Sequence, residues 1–150
     1  MRLKKLLLLL LTAAILGGQA GSTWAGDPKV KIVIKTVLAS QDSTSFDPRI
    51  SALIRKLQSV FRYSSYRLLS EKSMLLDFGE TGTFSLPGDR RLKITPKRIT
   101  GNRAELEFLI FKKTRQIVKS RVQVLNHGSI VVGGPEHGGG FLLFDISSSF

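Results

Sequence analysis

Two histidines ten residues apart, His127 and His137, and the carboxylate of Glu136 are the residues whose types could hold a metal ion or pass a proton. Zinc takes three or four placed ligands, and here neither a helical histidine pair nor a familiar short ligand spacing accompanies these three. The chain has no cysteine, which removes thiolate metal sites, a cysteine nucleophile and a disulfide framework. No Gly-x-Ser-x-Gly elbow places a serine for a hydrolytic triad. A small hydrolase or metal-assisted enzyme around His127 and His137 is therefore the alternative reading. The leading one assigns no catalytic residue, no metal and no cofactor.

The segment Gly133 to Gly140 holds five glycines. A phosphate cradle needs its backbone donors at the start of a helix, with a Lys and a Ser or Thr nearby. This segment has none of those residues and leads into a strand, so it reads as a flexible hairpin connection.

The strongest chemical signal is charge. The 150 residues carry 23 Lys and Arg against 11 Asp and Glu. Arg90, Arg91, Lys93, Lys97, Arg98 and Arg103 gather on and around one expected hairpin. Lys112, Lys113, Arg115, Lys119 and Arg121 gather on the next. If those hairpins are neighbours, they make one positive field, with Tyr63 and Tyr66 placed near it. Such a field concentrates anions and speeds their encounter, and arginine can grip phosphate or carboxylate with two parallel hydrogen bonds. Arg90, Arg91, Lys93, Lys97, Arg98 and Arg103 are the candidate anion contacts.

Those residues need a scaffold, and the apolar spacing supplies one. Lys29 to Ala39 alternates in the manner of a half-buried strand. Asp47-Pro48 opens a helix, the aspartate as cap and the proline in the first turn. Ile50, Leu53, Ile54, Leu57, Val60 and Phe61 then form one apolar stripe. Short apolar runs follow about every ten residues: Tyr63 to Glu71, Met74 to Asp77, Thr83 to Leu86, Arg91 to Thr95, Ala104 to Lys112, Ile117 to Leu125, Ser129 to Val132 and Phe141 to Ile146. Pro87-Gly88-Asp89, Gly101-Asn102 and Asn126-His127-Gly128 mark reversals. The pattern predicts an α+β domain over residues 26–150, with one amphipathic helix packed on a curled, mostly antiparallel sheet of about seven or eight strands.

The first 25 residues read as a signal peptide. Arg2, Lys4 and Lys5 precede an apolar run from Leu6 to Leu16, and a small-residue stretch ends at Ala25, the expected cleavage point. Cleavage removes three basic residues and no acidic one, and leaves no run long enough to span a membrane as a helix. The expected location is periplasmic or secreted. There, nucleic acid suits a basic surface poorly, and an anionic envelope component or an acidic protein partner suits it better. The C-terminal strand with Leu142, Phe144, Ile146 and Phe150 on one face suggests a further alternative, a small outer-membrane β-barrel.

The stretches Phe61-Arg62-Tyr63-Ser64-Ser65-Tyr66-Arg67-Leu68-Leu69 and Leu125-Asn126-His127-Gly128-Ser129-Ile130-Val131-Val132-Gly133-Gly134-Pro135 resemble segments of an uncharacterised group of small exported bacterial proteins. That resemblance implies export and a single domain. It carries no activity and no functional residue.

Overall fold

The computed structural model describes Gly26 and residues 28–150; the expected signal peptide lies outside these residues. Strand β1, Val30–Ser40, alternates as its sequence asks: Val30, Ile32 and Ile34 are buried on one face while Lys31 and Lys35 occupy the other. Val37 and Ala39 share the lysine face yet are also buried, because the helix covers that end of the strand.

After a two-residue strand, β2 (Ser45–Phe46), Asp47 starts a 3-10 turn, Pro48–Ile50, which continues as helix α1, Ser51–Val60. The Asp47 carboxylate accepts hydrogen bonds from the backbone N–H of Arg49 at 3.0 Å and of Leu68 at 3.3 Å, and from the Arg49 guanidinium at 2.6 Å. The Arg49 side chain is the main reason its pKa sits at about 2 rather than the ordinary 3.8. A carboxyl whose folded pKa is depressed stabilises the fold above 3.8, and loses that contribution as the pH falls toward about 2. Asp47→Asn keeps an acceptor for the turn but not the charge. It is expected to unfold more easily at neutral pH and to show a flatter loss of stability in acid. Thermal unfolding from about pH 6 down to 2 checks this, and an acid limb identical to that of the parent counts against it.

Seven further strands follow: β3 (Ser65–Leu76), β4 (Gly82–Leu86), β5 (Arg90–Thr100), β6 (Arg103–Lys112), β7 (Arg115–Leu125), β8 (Gly128–His137) and β9 (Gly140–Ser149). They form a five-stranded sheet, ordered β2-β3-β1-β9-β8, and a four-stranded one, ordered β4-β5-β6-β7. All neighbours are antiparallel except the short β2–β3 pair. The helix and the antiparallel pairing agree with expectation. The single curled sheet of seven or eight strands does not: among the described residues, nine strands divide between two sheets packed face to face. The chain changes sheet after β3 and again after β7, and the inner faces of both sheets share one core. At its centre, Phe108 of β6 and Phe144 of β9 lie 5.4 Å apart between ring centroids.

A second apolar cluster lies on the outer face of the five-stranded sheet. There Leu53, Ile54 and Leu57 of α1 cover Val37, Ala39, Tyr66 and Leu143. Strand β3 serves both clusters by means of a bulge. Thr36 pairs with Ser70 but Val37 pairs with Leu68, which leaves Leu69 as an extra residue. The slip reverses which face the even-numbered residues occupy, so Met74 and Leu76 face the four-stranded sheet while Tyr66 and Leu68 face the helix. The sequence reads as two separate runs because the polar Ser70-Glu71-Lys72-Ser73 interrupts what the structure shows as one strand of 12 residues.

The glycine-rich segment is a strand edge for most of its length. Strand β8 runs through Gly133-Gly134-Pro135 to His137, and only Gly138 and Gly139 turn, both with positive φ. As an outer strand it can hold a proline, since the missing N–H costs no ladder bond on the free side. Gly134 has no room for a side chain: a Cβ there would run into the Phe144 ring and come within 2.9 Å of the Leu142 carbonyl oxygen. Among the described residues the strands form two sheets and not one closed barrel, and Lys31, Lys35, Glu105 and Glu107 lie on outward faces where a spanning barrel would present apolar side chains to lipid. Among the described residues, no helix is long and apolar enough to cross a membrane.

Candidate anion-binding surface

Strands β5, β6 and β7 are neighbours, so the two basic hairpins share a sheet. Directly paired residues project from the same face. Across the outer face the rows are Arg91, Phe111 and Gln116; Lys93, Leu109 and Lys119; Thr95, Glu107 and Arg121; and Arg98, Glu105 and Gln123. The apolar partners in each strand, among them Leu92, Ile94, Leu106, Phe108 and Ile110, point inward and are fully buried. Alternation therefore turns the charged residues outward while the core fixes the strands that carry them.

The six expected contact residues divide into three groups. Arg90 points away from this face. Its Nη2 donates to the Glu136 carbonyl at 2.9 Å, tying the β4–β5 turn to the end of β8, and its Nε is buried with no acceptor among the described residues. Lys97 and Arg98 are occupied by acids of the central strand: Lys97 Nζ lies 3.2 Å from Glu107, and Arg98 Nη2 lies 2.9 Å from Glu105. Arg121 reaches the same Glu105 at 3.8 Å. Arg103 lies beside them and, with Arg98, Thr100, Glu105 and Gln123, lines a shallow cleft of about 330 Å³.

Arg91 and Lys93 form the third group and stay open to solvent anions. Lys93 Nζ stands 5.0 Å above the Phe111 ring, a cation–π contact that leaves its ammonium available. Arg91 donates to the Lys113 carbonyl at 3.2 Å, which brings the β6–β7 turn alongside. Lys119 shares the outer face through Leu109, whereas Lys112 and Arg115 pair in register with Arg90 and, with Lys113 in the turn, add charge at the same end of the sheet. Among the described residues, none of these six cations forms an ion pair. Lys113 also holds φ at 54°, a region that side-chain-bearing residues seldom adopt. Glycine would be the ordinary occupant, and lysine there puts a charge at the tip of the turn.

Glu105 and Glu107 were absent from the expected site, although their two-residue spacing puts both on the face of the basic residues. Tyr63 and Tyr66 do not lie near this face, because they belong to the helix side of the other sheet. His127 and His137 bracket β8, ten residues apart in an extended strand, hence roughly 30 Å. They cannot share a site. Among the described residues, no group of three His, Asp or Glu residues could hold a metal ion. No family model, no curated protein and no solved structure matches this chain.

Proposed function

We propose that this chain is an exported, non-enzymatic binding or assembly module that contacts an anionic envelope component or an acidic protein partner. The contact surface is the outer face of the β5–β7 sheet at the Arg91 and Lys93 end. One observation carries the reading: Arg91, Lys93 and Lys119 stand on that face, and Lys112, Lys113 and Arg115 lie at its adjoining end, all six with no carboxylate partner among the described residues. Exposed ion pairs such as Lys97–Glu107 contribute about 0–1 kcal/mol to stability. Unpaired cations this close repel one another, and an anion relieves that repulsion. Export is supported by the basic, apolar and small-residue order of residues 1–25.

Binding of the purified protein to immobilised heparin, a soluble polyanion, tests the surface. Affinity is expected to fall as salt rises. The double variant Arg91→Glu/Lys93→Glu should weaken it by on the order of tenfold or more, whereas Lys97→Gln should change it little. Retention that ignores both salt and the double charge reversal overturns the proposal.

A further inference from the structure

We infer that the end of the sandwich carrying those free cations docks on an anionic lipid bilayer surface, with a neighbouring cluster of exposed rings entering the lipid interface. The inference rests on the proposed anion-binding reading and gives it one partner. Several elements meet at this end. β1 finishes at Ser40, where β3 and β9 begin against it. Glu136 pairs across the ladder with Phe141, and its carbonyl accepts from Arg90. The aromatic cluster of one sheet and the cationic turns of the other thus lie at the same end of the sandwich, on opposite outer faces.

The rings form a connected set: Phe46 stacks on Tyr66 at 6.2 Å, Tyr66 meets Tyr63 at 6.3 Å, and Tyr63 meets Phe141 at 6.1 Å. Tyr66 is buried, but Phe46 is 45% exposed and Phe141 38%, and Val60 at the helix end is 69% exposed. Arg62 and Arg67 flank them in solvent. The acids at this end are Asp42, Asp47, Asp89 and Glu136; Asp47 is engaged by Arg49. The remaining three are outnumbered by Arg62, Arg67 and the six unpaired cations of the β5–β7 sheet. A soluble polyanion would use the cations alone. Exposed rings and a valine at the same end as these cations match a bilayer interface, where apolar groups bury at the headgroup boundary while arginine and lysine meet phosphates.

Co-sedimentation with vesicles tests this, using phosphatidylcholine alone or mixed with phosphatidylglycerol, with heparin binding measured in parallel. The parent protein should pellet with the mixed vesicles and not with phosphatidylcholine alone. Phe46→Ser/Val60→Ser, chosen at strongly exposed positions, should lower vesicle partition by roughly tenfold and leave heparin binding unchanged. Thermal unfolding confirms that the variant is folded, and Phe46→Ser alone serves if it is not. Heparin binding without vesicle binding overturns the bilayer inference and leaves the anion surface standing. Failure to bind either removes both. Vesicle binding that survives loss of the exposed apolar groups overturns the docking geometry.

Discussion

Phe144→Ala should lower the free energy of unfolding by about 3–5 kcal/mol. The ring is fully buried between the sheets, tilted against Phe108 with centroids 5.4 Å apart. Truncation removes its transfer from water and leaves a ring-sized void. The walls of that void are poorly able to collapse, since they belong to strands held by their own ladders, with Gly134 backbone on one side. That places the cost toward the upper part of the range. Phe108→Ala should cost a similar amount, and the double variant less than the two together, because each ring is part of the other's surroundings. Urea denaturation measures all three, with an unchanged slope marking a two-state comparison. A loss below about 1 kcal/mol for Phe144→Ala would mean that the two sheets do not share this core.

The role of Gly134 beneath Phe144 also explains one limit of the sequence reading. Glycine chosen for flexibility and glycine chosen because a ring occupies the Cβ position look alike in a sequence. By sequence Gly133 to Gly140 reads as a hairpin connection, although packing makes most of it an edge strand. Strand β1 and the turn at Asp47 were legible because their signals are local: two-residue alternation in one, and a cap followed by proline in the other. The β3 bulge was not, since the extra Leu69 breaks the alternation and the polar Ser70 to Ser73 beyond it make one strand read as two. Division into two sheets depends on which strands pair over long sequence distances, and apolar inner faces look the same in either arrangement. In the site, Arg90 and Arg91 were grouped by adjacency, yet neighbouring strand residues point to opposite faces. One ties two turns together and the other faces solvent. That difference was available from period-two reasoning, as was the position of Glu105 and Glu107 opposite the basic residues. The packing of the rings around Phe141 was not, because Phe46, Tyr63 and Phe141 come together only through β2, β3 and β9.

Leu57→Ala should lower stability by about 2–5 kcal/mol, and the pattern of its effect separates the two apolar clusters. Leu57 is almost fully buried against Val37, Ala39, Tyr66 and Leu143, on the opposite face of the sheet from Phe144. Helix α1 has 10 residues, too few to persist in water without that packing. It should therefore open while the sandwich remains folded, at a free energy below that of global unfolding. Loss of the Leu57 contacts weakens the native state relative to both openings, so amide exchange should quicken in α1 and in β6 alike. Phe144→Ala should behave differently. Its contacts with Phe108 survive when the helix lifts, so exchange in β6 should quicken while the opening of α1 keeps its parental free energy within about 0.5 kcal/mol. Native-state hydrogen exchange on both variants reads this directly. If Phe144→Ala speeds α1 and β6 in step, helix and sandwich open as one unit. The helix end that carries Val60, and leads to Phe61 and Tyr63, would then owe its position to the inter-sheet core as much as to Leu57.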